Sequence, residues 1–369
     1  MWASCPVAPA LRGQGDGVRG FSPHAIQGGP ALFTILTSGG FARSPEQARL
    51  ILQCTISMTL AYSVAIAMFP MLRSVSRGRR MIGVIFCLTI MLCPLIVQAD
   101  KVVPRALLCV VYADLGFKLV DYARQFGHFD KSNPGGFREY CRFLIPFPLF
   151  LVVFQQWQRM RRRTADRSGQ ILRIVLGVLL FSLCRALLKI VCQVTSLRDN
   201  FVLEHVAHLM IFVVAIESLS QVGCGIERSC GFDTSPIIRY EFLSRTIGEF
   251  WQRYNTRVHN WLMANIFVIS SKKRSPALCI WVTFVISGIQ HELGFGIATS
   301  RFDGYQFAFS ALQAPGVLIS HALDRQLARF GNTGKAASHV FTILWFAVTS
   351  PLFFHGVNRA FPFYCSMRG

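Results

Sequence analysis

Long apolar runs dominate this sequence and constrain its fold more than any other feature. They lie near residues 48–71, 81–98, 104–121, 142–157, 170–194, 201–222, 276–297, 306–323 and 338–356. A helix needs about 20 apolar residues to cross a bilayer, and the longer runs reach that length. Hydrophobic residues make up 52% of the chain and charged residues only 15%. We therefore expect an all-α integral membrane protein with eight or nine transmembrane helices.

The two ends of the chain differ in composition. Residues 1–45 are rich in Gly, Pro and Ala and lack the charge-then-apolar order of a signal peptide. We expect them to form a flexible N-terminal leader and residues 46–369 to form one polytopic membrane domain. Cysteines such as Cys54 and Cys192 lie inside apolar runs. We interpret most of the twelve cysteines as small packing residues rather than as a disulfide framework.

The net charge of +20 comes from 38 Lys and Arg against 18 Asp and Glu. The basic residues lie between apolar runs, as in multi-pass membrane proteins, and no nucleic-acid module of a known type is visible. The basic loops after the fourth run and before the seventh predict the cytoplasmic side, whereas the loop around Arg77 disagrees. A bacterial inner membrane and the endoplasmic reticulum both fit, and the oligomeric state stays open.

The stretch "VTFVISGIQHELGFGI", residues 282–297, places a titratable pair, His291 and Glu292, in an apolar run. Ser287 lies one turn before the histidine on the same face. If the helix begins near Pro276, His291 lies about 22 Å along its axis at 1.5 Å per residue. An ionisable group at that depth is costly unless it is paired or faces a cavity, so it is a functional candidate. The alternative is a hydrogen bond between helices.

Neither histidine pattern in the sequence predicts a metal site. A zinc-protease helix needs a second histidine one turn after the first, and position 295 is Phe. Glu204, His205 and His208 cluster in the sixth run, but no third ligand is marked by spacing. We therefore expect no bound metal.

The segment "EFWQRYNTRVHNWL", residues 249–262, mixes aromatic and charged side chains. On a helix Asn255 and His259 share one face, Trp251 extends that face, and Arg253 and Arg257 form a second stripe. One interpretation is a polar, aromatic-walled opening surrounded by positive charge. The other is an interfacial helix with Trp anchors and arginines whose heads reach water.

General-base catalysis suits a histidine in such a place. A neutral imidazole can take a proton from a hydroxyl as its oxygen attacks an acyl carbonyl. A covalent nucleophile is not required when the acyl donor is an activated thioester. An Asn side chain can orient the attacking group or stabilise the developing oxyanion. Asn255 and His291 therefore make a chemically sensible acyl-transfer pair.

Two motifs of the sequence resemble those of a known family. "EFWQRYNTRVHNWL" followed by "VISGIQHELGFG" resembles the membrane-bound O-acyltransferases, most closely their wax synthase branch. The likeness covers residues 240–300. It implies a helical bundle around a central chamber, His291 as the catalytic histidine and Asn255 as the second polar site residue. Gln252 and Tyr254 depart from the residues that wax synthases often have there.

The resemblance also implies the substrates. An acyl group would pass from acyl-CoA, a co-substrate rather than a bound cofactor, to the hydroxyl of a lipid-like alcohol. Trp251, Arg253, His259, Ser287 and Glu292 would support the site or bind substrate. We also expect Lys272, Lys273 and Arg274 to contact CoA phosphates. Basic loops also set membrane topology, so this pattern is less specific.

Two alternatives stay open. The first keeps the chemistry and replaces the donor with acetyl-CoA and the acceptor with a terpenoid, sterol or other secondary metabolite. The second is a membrane transporter, in which charged residues within the apolar runs would form an ion or proton path. The residues of that path would be Asp114, Lys118, Arg185, Glu204 and His291. No internal repeat of the kind common in transporters is visible.

Overall fold

The structure is a computed structural model, and it describes residues 44–74, 76–125, 136–147, 149–159, 167–271, 274–361 and 363–365. The expected leader lies almost wholly outside this part of the chain, so the predicted domain division stays a prediction. From Arg49 onward the described residues belong to one compact unit.

The described residues are mostly helical, which confirms the all-α prediction. In the first half the helices are α1 (Pro45–Ala67), α2 (Phe69–Leu72), α3 (Arg77–Thr89), α4 (Val102–Gln125), α5 (Phe137–Leu144), α6 (Phe154–Arg159), α7 (Arg167–Gln193) and α8 (Thr195–Arg198). In the second half they are α9 (Phe201–Ser229), α10 (Ile247–Tyr254), α11 (Thr256–Leu262), α12 (Val268–Ser271), α13 (Pro276–Thr299), α14 (Tyr305–Leu327) and α15 (Gly331–Ala360). Short 3₁₀ turns at Ile90–Ile96, Glu241–Leu243 and Ala328–Phe330 and a π-helical turn at Met263–Phe267 join some of them.

Helix boundaries follow local sequence signals. Ser275 caps α13 by accepting a hydrogen bond from the backbone amide of Leu278, and Pro276 occupies the first turn, where its missing N–H costs nothing. Asn200 caps α9 in the same way through the amides of Val202 and Leu203.

Six segments are long and apolar enough to cross a membrane. They are Pro45–Ala67, Arg77–Ile96, Ser168–Gln193, Phe201–Ser229, Pro276–Thr299 and Tyr305–Ala360, the last of which contains both α14 and α15. The protein is thus an integral, multi-pass membrane protein, although eight or nine spans are not confirmed. The third and fourth apolar runs, residues 104–121 and 142–157, are not among these six segments.

Buried charges explain why those two runs differ from lipid-facing helices. Asp114 and Lys118 on α4 form an ion pair of 2.9 Å with less than 2% of either side chain exposed. Lys118 also donates to the carbonyls of Ile145 and Leu149, and Asp114 accepts from the amide of Leu151 at 2.6 Å. The described residues between α5 and α6 are therefore non-helical chain held against α4 rather than a membrane helix.

Close helix packing brings α13 against α14. A Cβ added at Gly288 would lie 3.0 Å from the Cβ of Ser310, and one at Gly296 would overlap the ring of Phe302. Only a glycine leaves room for these approaches. These contacts hold α13 against α14 and against the loop that joins the two helices.

One cysteine pair departs from the expectation of packing residues. Cys192, in the last turn of α7, forms a disulfide with Cys365, which follows α15. Sequence spacing does not reveal this pair because 173 positions separate its members. Its link ties the C-terminal end of the described chain to α7.

Candidate active site

A cavity of about 340 Å³ opens beside the middle of α13. Most of its wall is apolar, and its polar residues are Asn255, Ser287, Gln290 and His291. The structure thus brings Asn255 and His291 to one cavity, although they are 36 positions apart in sequence. We call this space the Asn255 cavity.

A second cavity of about 200 Å³ lies between α9, α10, α14 and α15. Aromatic side chains such as Trp251, Tyr254 and Phe346 form much of its wall. Glu241 and His339 line it as well. We call this space the aromatic cavity.

His291 lines both cavities. Its side chain is exposed at these cavity walls. The ring of Phe353 meets the imidazole edge to face at a centroid distance of 6.2 Å.

Asn255 lies in a break between two helices rather than within one. Helix α10 ends at Tyr254, α11 begins at Thr256, and the Oδ1 atom of Asn255 accepts from the amide of Val258 at 3.1 Å. The expectation of one continuous face through Trp251, Asn255 and His259 is therefore wrong for the Trp251 end. The cap uses Oδ1, whereas the Nδ2 group is the donor that an oxyanion would need.

The arginines near Asn255 are paired with acids. Arg257 is buried and bonds Glu227 through two nitrogens at 2.7 and 2.5 Å, and it also donates to the carbonyl of Phe150. Arg253 pairs with Glu249 one turn earlier on α10. Both guanidinium groups are therefore paired with carboxylates, which hold α10 and α11 in place.

The remaining residues beside Asn255 have distinct positions. Trp251 lines the aromatic cavity, and its indole N–H has no hydrogen-bond partner among the described residues. His259, on α11, lines neither cavity, and burial lowers the pKa of its imidazole. The neutral form of His259 is thus favoured where it packs.

The two neighbours of His291 in the motif also have different positions. Ser287 lines the Asn255 cavity. Glu292 lines neither cavity and instead accepts hydrogen bonds from four backbone amides at the start of α14. We therefore assign Glu292 a structural role in capping that helix.

The predicted CoA-phosphate contacts are described only in part. Lys272 and Lys273 lie outside the described residues, whereas Arg274 is exposed just before α13. Arg274 lines neither cavity. A role in binding phosphates stays a prediction for all three.

Glu241 is a cavity residue that no sequence pattern marked. It is fully buried, and neither carboxylate oxygen has a hydrogen-bond partner in the described structure. Burial, together with the nearby Glu217 carboxylate, raises the pKa of Glu241 from 4.5 to about 7, although its own backbone amide opposes the shift. A carboxyl with such a pKa exists in both protonation states near neutral pH.

Part of the sequence is similar to known O-acyltransferases. No protein-family model matches the chain. A stretch of 91 residues is 29% identical to diacylglycerol O-acyltransferase 1 of Arabidopsis thaliana, and one of 74 residues is 31% identical to probable sterol O-acyltransferase 2 of Schizosaccharomyces pombe. The chain is a distant homologue of these O-acyltransferases. A soybean (Glycine max) protein, diacylglycerol O-acyltransferase 1C, is 25% identical over 118 residues.

The homology is partial in extent. The match to the Arabidopsis protein covers 24% of this chain and 17% of that protein. The match to the fission-yeast protein covers 20% of this chain and 16% of that protein. The match to the soybean protein covers 31% of this chain and 23% of that protein. They confirm the resemblance to membrane-bound O-acyltransferases at a distance, and they do not select the wax synthase branch.

Proposed function

We propose that this protein is a membrane-bound O-acyltransferase that moves an acyl group from acyl-CoA to the hydroxyl of a lipid-like alcohol. The observation that carries the proposal is the position of His291 on the walls of two cavities. A general base must reach the attacking hydroxyl where it meets the thioester, and a histidine on both cavity walls supports that role. The distant homology to O-acyltransferases supports the same reaction class.

The proposed step needs only proton transfer and substitution at the carbonyl. Nitrogen of the neutral His291 imidazole takes the hydroxyl proton as the alcohol oxygen attacks the thioester carbon. The carbon–sulfur bond then breaks, and the CoA thiolate leaves and takes up the proton. The products are an ester and free CoA, and no covalent enzyme intermediate is required.

The two cavities suggest a division of the substrates. Asn255 lies on the larger cavity, where its Nδ2 group would stabilise the oxyanion that forms on the thioester carbonyl. We therefore assign the Asn255 cavity to the acyl chain and thioester. The aromatic cavity would hold the alcohol, whose apolar body suits walls such as Phe346 and Phe353.

The branch of the family is the finer part of this proposal. A lipid-like alcohol and a long acyl chain correspond to a wax-synthase-like reaction. An acetyl donor with a terpenoid or sterol acceptor is the alternative, since the same histidine chemistry serves both. The preferred donor length decides between them.

The transporter alternative receives no support from the intramembrane charges. Asp114 and Lys118 are paired with each other and with backbone groups of a neighbouring segment. Glu204 accepts from the amide of Cys365, and Arg185 is exposed on α7. These groups hold segments together or face outward rather than forming a continuous path.

The test is acyl transfer in isolated membranes with labelled acetyl-, octanoyl- and palmitoyl-CoA and a panel of alcohols. His291→Ala should reduce transfer at least about a thousandfold at matched expression, as loss of a general base allows together with lost positioning. His321→Ala is the matched control, because His321 is exposed and lines neither cavity. Transfer that survives His291→Ala would remove His291 as the base. Absence of transfer with every pair would contradict the acyltransferase proposal.

A further inference from the structure

Three potential metal ligands meet at a point where none of them lines either cavity. They are Cys192 at the end of α7, His208 on α9 and Cys365 after α15. Their two sulfur atoms and one ring nitrogen lie within 4.8 Å of one another. His208 and Cys365 are buried, and none of the three residues lines a substrate cavity.

The ring of His208 is oriented so that one nitrogen lone pair faces the sulfurs. Its Nδ1 atom lies 2.8 Å from the carbonyl oxygen of Glu204. A carbonyl oxygen only accepts hydrogen bonds, so Nδ1 carries the proton and Nε2 carries the lone pair. Nε2 lies 3.7 Å from the sulfur of Cys365. Metal-binding histidines are commonly fixed by this kind of carbonyl contact.

The neighbouring histidine provides an internal comparison. His205 contacts the Tyr364 hydroxyl through Nδ1 at 2.7 Å and the Ser350 hydroxyl through Nε2 at 3.0 Å. Both of its nitrogens therefore have hydroxyl partners. His208 differs because its Nε2 atom faces sulfur.

A disulfide sulfur does not satisfy that lone pair. The sulfur in a disulfide bears no hydrogen, so Cys365 cannot donate to Nε2 in the oxidised state. Only 1% of the surface of His208 is exposed, which leaves it little access to water. A buried acceptor without a donor is unfavourable. Reduced Cys365 or a bound cation would each remove this cost, and a cation would engage all three ligands.

The distances fit a thiophilic cation. Zinc–sulfur and zinc–nitrogen bonds of about 2.3 and 2.0–2.1 Å put tetrahedral S and N ligands about 3.5 Å apart, close to the observed sulfur–nitrogen distance. The Cα atoms of the two cysteines are 5.5 Å apart. Rotation of their side chains can separate the sulfurs once their bond is reduced. Two thiolates and one imidazole favour zinc-like ions over magnesium or calcium.

We propose that reduced Cys192 and Cys365, together with His208, form a binding site for a zinc-class divalent cation. Reduction by a dithiol transfers two electrons and two protons to the disulfide and yields two thiols, while the dithiol becomes a disulfide. Binding of the cation then releases the two thiol protons, and an exchangeable ligand completes the tetrahedron. The disulfide and the metal-bound site exclude each other, so the site reports the redox state around the protein.

The test uses full-length protein purified in detergent, reduced with a phosphine and freed of metal with a chelator. Zn²⁺ should bind with one ion per chain, and Co²⁺ should give sulfur-to-cobalt absorption in the near ultraviolet. His208→Ala and Cys365→Ser should each weaken Zn²⁺ binding at least tenfold. Cys230→Ser is the matched thiol control, because Cys230 is exposed and free. It should leave Zn²⁺ binding unchanged.

Measurements on the unmodified chain keep the proposal testable if a variant misfolds. Reduction must first expose two additional thiols, counted by mass after alkylation. A cysteine pair that stays bonded in reductant while the protein remains folded would overturn the proposal, and so would reduced protein that binds no Zn²⁺ or Co²⁺. Equal Zn²⁺ binding by a folded Cys192→Ser, Cys365→Ser double variant would also overturn it.

Discussion

His291 and Glu292 are adjacent in sequence, yet their side chains serve different parts of the molecule. His291 lines the two cavities, whereas the Oε1 and Oε2 atoms of Glu292 accept four amide hydrogen bonds at the start of α14. Successive positions on a helix point about 100° apart, which separates the two roles. The motif therefore combines a candidate base with the anchor that positions the next helix.

Glu292→Ala should destabilise the protein because four amides at the start of α14 lose their acceptor. We expect a loss of about 1–3 kcal/mol, measured as a lower melting temperature in detergent. Glu292→Gln keeps one oxygen acceptor and should lose less. Transfer per folded molecule should change far less in Glu292→Ala than in His291→Ala. An unchanged melting temperature with abolished transfer would instead indicate a chemical role.

Gly294→Leu should narrow the Asn255 cavity without disturbing the helix packing. Gly294 lines that cavity, and a Cβ at this position would meet no atom within 4 Å. Under the proposed division of substrates, transfer from palmitoyl-CoA should fall about tenfold or more relative to acetyl-CoA, while the melting temperature stays within a few degrees. Leu293→Val on the exposed neighbouring face is the control. Equal losses with both donors would argue against the acyl chain lying there.

Asp114→Ala should strongly destabilise the protein. The substitution leaves Lys118 charged in a buried place and removes the acceptor for the Leu151 amide. Leu151 also has a left-handed backbone, with φ of 53°, which its surroundings must hold. Loss of one partner of a buried pair costs about 3–5 kcal/mol, visible in melting temperature and in yield of folded protein. Arg185→Ala, at an exposed position, should have little effect, and a similar result for both variants would contradict this account.

Glu241→Gln should increase stability at pH values above about 5, and by more as pH rises. The pKa of Glu241 is raised from 4.5 to about 7, so the folded state keeps a proton that the unfolded state releases between these values. Its contribution to the free energy of unfolding therefore falls as pH rises through this window. The full difference corresponds to about 3 kcal/mol above pH 7. Melting curves of both proteins from pH 5 to about 8 should diverge, and parallel curves would show that Glu241 does not titrate this way.

The fourth apolar run shows where composition misleads. Leu149, Val152 and Phe154 are apolar because they are buried in the core around Tyr122 and Phe143, rather than because they face lipid. The backbone carbonyl of Leu149 accepts from Lys118 and the backbone amide of Phe154 donates to Asp121, and both of these α4 residues lie about 30 positions earlier in the chain. Hydropathy alone cannot separate core residues from lipid-facing ones, which is why the run resembles a membrane span in the sequence. Long, continuous apolar runs such as those of α7 and α9 do form helices long enough to cross a membrane.

A residue of the candidate site can be predicted from the sequence when its side chain is unusual among its near neighbours in the chain. His291 stands out because an ionisable group interrupts an apolar helix, and the structure places it between cavities. Glu241 and the pair of Cys192 and Cys365 could not be found in this way. Glu241 becomes unusual only through its burial, and the cysteines meet across a separation of 173 residues. Such groups gain their significance from tertiary contacts that local patterns do not contain.

The arrangement of two cavities around one imidazole has a kinetic consequence for the proposed reaction. Donor and acceptor can each bind while the other is absent, and transfer occurs only when both are present. Initial-rate plots against one substrate at several fixed concentrations of the other would then intersect rather than run parallel. The enzyme would also hydrolyse acyl-CoA slowly when no alcohol is bound, to the extent that water occupies the space beside Trp251.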